Sequence, residues 1–143
     1  MSFGNLPFPK LNFILLVDDS VVDNMINKSI LRKENFSEGI ESVVSALEGI
    51  RFLNHMYATS GRAPDIIFLD VKMPIVDGFG FLKLFHKQRE EIKSHTKIIM
   101  LTASTDVIDY HRALADPAVF NYLKKPLNPE ELRAVFTLLH LSR

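Results

Sequence analysis

The chain has 143 residues, no cysteine, and 17 basic against 17 acidic side chains. That length suits one domain with a core of its own, and the missing thiols exclude disulfides, thiolate metal sites and cysteine nucleophiles. A formal net charge of zero, with no long single-sign block, gives no electrostatic support for binding nucleic acid or an anionic membrane.

Residues 1–11, with Gly4, Pro7 and Pro9, read as an irregular leader in which only Phe3 and Phe8 offer anchors. They lack the charged start and apolar stretch of a signal peptide, and no apolar run is long enough to span a bilayer. A cytoplasmic protein is the expectation, with residues 12–143 as its single domain.

From there the pattern alternates. Phe13–Val17 is an unbroken apolar run, the mark of a strand buried on both faces. A helix is predicted over Val21–Lys33, with Val22, Met25, Ile26, Ser29 and Ile30 as its inward stripe. Ile40–Ser45 reads as a strand centred on Val43 and Val44. Ala46–Ala58 reads as a helix burying Leu47, Ile50, Leu53 and Tyr57, stopped by Ser60-Gly61 and Pro64. Ile66–Asp70 is a third strand, Phe79–Glu90 a third helix, Lys97–Leu101 a fourth strand and Asp106–Ala115 a fourth helix. Val119–Leu123 is a fifth strand, after which Asn128 caps a last helix through Leu139 with Pro129 at its first position. Five strands alternating with five helices mean an α/β domain with a parallel sheet covered on both faces.

The chemistry gathers where strands end. Asp18 and Asp19 follow the first strand, Asp70 ends the third, Thr102 follows the fourth, and Lys125 follows the fifth. In open parallel sheets ligands bind beyond the carboxyl ends of the strands, where strand order reverses. Three carboxylates brought together there repel one another unless protons or a cation offset them, and oxygen ligands suit magnesium. A carboxylate can also attack a phosphoryl group to give an acyl phosphate, with lysine and threonine holding the phosphoryl oxygens. Each residue has a plainer reading when taken singly. Asp19 or Ser20 can cap the first helix, Thr102 and Tyr122 can be ordinary strand residues, and Lys125 can be a solvated lysine. The five histidines (His55, His86, His95, His111 and His140) show no ligand spacing.

Taken in order, Val17-Asp18-Asp19, Phe68-Leu69-Asp70, Met73-Pro74-Ile75-Val76-Asp77-Gly78, Leu101-Thr102-Ala103 and Lys125-Pro126 resemble the receiver domain of two-component response regulators, over about residues 12–140. The resemblance implies a flavodoxin-like, doubly wound sheet of order 2-1-3-4-5. It makes Asp70 the phosphoacceptor, carried as 4-aspartylphosphate, with Thr102 and Lys125 engaging the phosphoryl group. Magnesium would be held by Asp18, Asp19, Asp70 and the backbone carbonyl of Lys72. Thr102 and Tyr122 would form the switch. The donor would be a histidine kinase or histidine phosphotransfer protein, and residues 106–139 would present the surface read by a downstream protein.

No output domain is expected after the last helix, and no turnover enzyme. A magnesium-dependent aspartyl phosphatase is the rival reading, but such enzymes carry a second acid two residues past the nucleophile, where this chain has Lys72. A pseudo-receiver is the other, and such domains lose part of the site that is intact here. Lys72 and Ser104 stand where a side chain could tune the lifetime of an acyl phosphate.

Overall fold

Short apolar runs separated by amphipathic segments fold as alternating strands and helices. In a computed structural model describing residues 8–103 and 106–142, these are β1 (Leu11–Val17), α1 (Val21–Lys33), β2 (Ser37–Val43), α2 (Ala46–Ser60) and β3 (Ile66–Asp70). They continue as α3 (Gly78–Phe85), the single-turn α4 (Glu90–Lys93), β4 (Lys97–Thr102), α5 (Val107–Leu114), β5 (Val119–Lys124) and α6 (Pro129–Leu141). All strands are parallel, in the order β2-β1-β3-β4-β5. The chain therefore steps outward from β1 in one direction and returns in the other, leaving a crevice between β1 and β3 at the carboxyl edge.

Side chains alternate across each strand and feed two cores. Leu15, Val17, Ile67, Leu69, Ile98 and Met100 pack under α2, α3 and α5, with Leu53, Phe81 and Phe85. Ile14, Leu16, Ile66, Phe68, Ile99 and Leu101 pack under α1 and α6, with Leu31, Leu132 and Phe136. Every residue of β3 is buried, and each of its large apolar side chains contributes about 1.5–3 kcal/mol of transfer free energy.

The base of β3 is tied as firmly as its top. Asp65 is buried and its Oδ2 accepts the backbone N–H groups of Asn12 (2.7 Å) and Phe13 (3.1 Å). Its Oδ1 lies 2.8 Å from His95 Nε2.

Several boundaries and faces differ from the sequence expectation. β1 begins at Leu11, and Phe8 of the expected leader is buried against Phe36 and Phe136; Phe3 lies outside the described residues. β2 runs Ser37–Val43 rather than Ile40–Ser45, leaving Val44 exposed, because Leu11 of β1 pairs with Ser37 and carries the ladder downward. The expected third helix, Phe79–Glu90, stops at Phe85, and a separate turn, α4, starts at Glu90 and inserts Ile92 into the core.

On α2, Leu47 is exposed and Gly49 faces inward in its place. A Cβ there would lie 2.9 Å from Phe81 and 3.2 Å from Val17, so the missing side chain lets the helix approach the sheet. The largest departure is on α1. Val22, Met25, Ile26 and Ser29 point outward, while Asn24, Asn27 and Leu31 are buried. Among the described residues no helix is long and apolar enough to cross a membrane.

Candidate functional site

The backbone leaves the core at the carboxyl ends of β1 and β3, and each exit carries acid. Asp18, Asp19 and Asp70 bring one carboxylate oxygen apiece within 4.8 Å of one another, which among the described residues is the one acidic or histidine cluster of this kind. Asp18 and Asp70 are buried and Asp19 is exposed. Two side chains and two backbone groups hold Asp18 in place; its own N–H donates to the Val43 carbonyl at 3.2 Å. Its Oδ1 accepts Ser20 N–H at 2.9 Å, its Oδ2 accepts Lys125 Nζ at 2.7 Å, and its backbone carbonyl accepts Asn24 Nδ2 at 2.9 Å. Asn24 Nδ2 also donates to the Val43 carbonyl at the end of β2, so one inward amide closes two strand ends.

Lys125 reaches the site from β5. Its backbone N–H donates to the Thr102 carbonyl at 2.8 Å, and the following Lys125–Pro126 peptide is cis. Leu127 N–H then bonds Asn27 Oδ1 at 3.1 Å, anchoring this turn to α1. The ammonium is mostly shielded and lies 2.7 Å from Asp18, 2.9 Å from Asp23 and 3.2 Å from Asp70. Burial works against its charge, but hydrogen bonds to Asp18 and Asp23 and the charge of Asp70 outweigh that, so it holds its proton well above the usual lysine range.

Asp70 also holds its proton more tightly, which here favours the neutral form. Burial and the neighbouring charge of Asp18 push its carboxyl up to about 7, against the pull of Lys125; a hydrogen bond with Asp19 adds to the rise.

The loop after β3 is shaped around Asp70. Val71 N–H bonds the Leu101 carbonyl and Gly78 N–H bonds the Val71 carbonyl. A Cβ on Gly78 would sit 2.6 Å from the Asp70 carbonyl oxygen and 2.9 Å from Met100 Cε, so glycine is what lets α3 start so close to the acid. Asp77 caps α3 through Gly80 N–H. Between them Ile75 is fully exposed at φ 69°, a left-handed conformation that costs a β-branched residue dearly.

Thr102 is buried, next to Leu101, which pairs with Asp70 across the sheet. Tyr122, on β5, stacks edge-on against Tyr110 with ring centroids 5.5 Å apart, and its hydroxyl is shielded from solvent beside the Thr102 side chain. Burial raises its phenol above the ordinary range. Lys72 does not turn into the acidic cluster; its Nζ pairs with Asp109 of α5 at 3.3 Å. Ser104 lies outside the described residues.

Asp18, Asp19, Asp70 and Lys125 therefore converge, with Thr102 and Tyr122 adjoining along the sheet edge. Asp23 went unread in the sequence. An acid in the first turn of a helix passes as a response to the helix dipole, and only its position five residues past Asp18 marked it as a neighbour of the site.

The fold is thus a doubly wound five-stranded α/β sheet with a three-carboxylate crevice at its carboxyl edge. The family model of the response regulator receiver domain matches residues 14–137, and the chain belongs to that family. It is similar to a two-component response regulator from Cytophaga hutchinsonii of known crystal structure, with TM-score 0.87 and 32% identity over 94% of this chain and 100% of that one. A probable transcriptional regulator, ycf27, of Guillardia theta is 33% identical over 121 residues, covering 85% of this chain and 42% of the relative. The hybrid signal transduction histidine kinase E of Dictyostelium discoideum is 33% identical over 129 residues, 88% of this chain but 7% of that protein. The chain thus spans less than half the length of these two curated relatives.

Proposed function

We propose that the protein is a phosphoacceptor in a two-component phosphorelay, taking a phosphoryl group onto Asp70. The observation that carries this is the Lys125 ammonium 3.2 Å from Asp70 and 2.7 Å from Asp18, set beside a three-carboxylate cluster. An Asp70 oxygen attacks phosphorus, the P–N bond of a phosphohistidine donor breaks, and the imidazole leaves with a proton. Lys125 and Thr102 receive the phosphoryl oxygens and offset their charge. The all-oxygen donor set fits magnesium, to be held by Asp18, Asp19, Asp70 and the Lys72 carbonyl. When bound, that ion supplies positive charge against the acidic cluster and the incoming phosphoryl oxygens.

The donor is a histidine kinase or histidine phosphotransfer protein. Val21, Val22, Met25 and Ile26, exposed on α1 beside Asp18, offer it an apolar landing face. Phosphorylation adds about −1.5 to −2 charges at the sheet edge. Movement of Thr102 toward that charge shifts Tyr122, and the α5–β5–α6 surface, with exposed Val107, Ile108, Tyr110 and Leu138, carries the result to a downstream protein. The chain acts as a switch without turnover of a separate substrate.

The test is mass spectrometry after incubation with magnesium chloride and acetyl phosphate. A single phosphoryl adduct is expected on the wild type and none on Asp70→Asn. An adduct undiminished in the variant, or absent from the wild type, rejects the reading.

A further inference from the structure

We propose that Asp23 is a positioning residue that draws the Lys125 ammonium off the metal-binding carboxylates, so that it sets how readily the site takes up magnesium. The inference rests on the phosphoacceptor reading of the site. Among the described residues Lys125 Nζ has three carboxylate neighbours: Asp18 Oδ2 at 2.7 Å, Asp23 Oδ2 at 2.9 Å and Asp70 Oδ1 at 3.2 Å. Two of the three, Asp18 and Asp70, also belong to the cluster with Asp19, and Asp23 does not. A divalent cation entering the cluster competes with the ammonium for the same oxygens and repels it. Asp23 is the one neighbour that keeps its oxygens for Lys125.

The geometry of the first turn of α1 shows why Asp23 is available. Ser20 caps the helix by accepting the Asp23 N–H at 3.1 Å, which places Asp23 where an acid ordinarily folds back onto the N–H of the capping residue. Here Ser20 N–H is already given to Asp18 Oδ1 at 2.9 Å. The Asp23 carboxylate, freed from capping, reaches across to a lysine 102 residues further along the chain. It is 38% exposed, which leaves room for the ammonium to move outward with it.

Removing the Asp23 charge returns the whole ammonium to Asp18 and Asp70, and magnesium must then displace it with nowhere for it to go. A nearby negative charge also attracts the cation directly, so the experiment separates the two effects with a double-mutant cycle. Magnesium chloride is titrated calorimetrically into the unphosphorylated wild type, Asp23→Asn, Lys125→Met and the double variant; Lys125→Gln supplies the same comparison if the Met variant does not fold. With Lys125 present, Asp23→Asn is expected to weaken magnesium binding about fivefold, the effect of losing one partly exposed ion pair, and by less than about twofold once Lys125 is gone.

Equal ratios in the two backgrounds, or no change on Asp23→Asn, overturn the role of Asp23 and leave the phosphoacceptor reading intact. A wild type that takes up no magnesium overturns both. A wild type that binds magnesium but forms no acetyl phosphate adduct rejects the phosphoacceptor reading alone, and the cycle still decides the link between Asp23 and Lys125.

Discussion

Lys72 Nζ lies 3.3 Å from Asp109 Oδ2, tying the loop beside Asp70 to α5. Asp109 is the buried partner of this pair and Lys72 the exposed one. Replacing Lys72 with Asn leaves a shielded carboxylate without its cation, and solvent screening at Lys72 limits the loss to about 1 kcal/mol by urea denaturation. Because Lys72 also stands two residues from the proposed phosphoacceptor, we expect the same variant to change the lifetime of phosphorylated Asp70. An identical decay rate, followed by mass spectrometry, would remove Lys72 from that role.

Stability should fall with rising pH because of Asp70. The folded chain holds the Asp70 proton up to about pH 7, against 3.8 for an unperturbed aspartate. The contribution of this group is therefore complete below pH 4 and is lost as pH climbs to 7. Asp70→Asn removes the dependence. The variant should match the wild type near pH 4 and exceed it in stability at pH 8, a difference that denaturation curves at the two pH values will read.

Magnesium should act in the same direction as that substitution. A ligand bound to the folded state alone adds about 2.7 kcal/mol at a hundredfold excess over its dissociation constant. Thermal unfolding at pH 8 should shift upward with magnesium and return on adding a chelator. Asp19→Asn should lose most of the shift, since Asp19 completes the cluster without entering the Lys125 ion pairs.

Two substitutions in the loop after β3 should move stability in opposite senses. Ile75→Gly relieves a left-handed residue at the cost of unfolded-chain entropy, a net gain of about 0.5–1 kcal/mol. Gly78→Ala forces a methyl to within 2.6 Å of the Asp70 carbonyl oxygen. It should cost about 1–3 kcal/mol and slow phosphorylation of Asp70. A Gly78→Ala variant phosphorylated at the wild-type rate would show that the loop yields without moving the acid.

Asn27 offers a test away from the acids. Its Oδ1 accepts the buried Leu127 N–H, so Asn27→Ala orphans that donor and should cost about 1–3 kcal/mol in chemical denaturation.

The carboxyl ends of β1, β3 and β4 were readable because a doubly buried strand must be apolar throughout, so the first polar residue marks its exit. Val17-Asp18, Leu69-Asp70 and Leu101-Thr102 all show this; β2, half exposed, was misplaced. The inner face of α1 was not readable by the same logic. Helical spacing placed Val22, Met25 and Ile26 inside, but α1 lies where strand ends and the β5–α6 turn need donors and acceptors. Asn24 and Asn27 supply them, and the apolar residues are left outside. Hydrophobicity cannot foresee an interior face chosen for its hydrogen bonds. The direction of Lys72 was hidden for a similar reason. Its partner, Asp109, is 37 positions away, and only the packing of α5 beside the loop brings the two together.

β3 begins immediately after one buried aspartate and ends on another, Asp65 and Asp70, five residues apart. A slide of a single residue in either direction would drag one carboxylate into hydrocarbon and strip the other of its partners: for Asp65 the amides of Asn12 and Phe13, for Asp70 the lysine. The central strand therefore works as a ruler pinned at both ends. The height of the Asp70 carboxylate above the sheet is fixed by contacts made at the opposite pole of the molecule, so damage at Asp65 should be felt first as a misplaced Asp70.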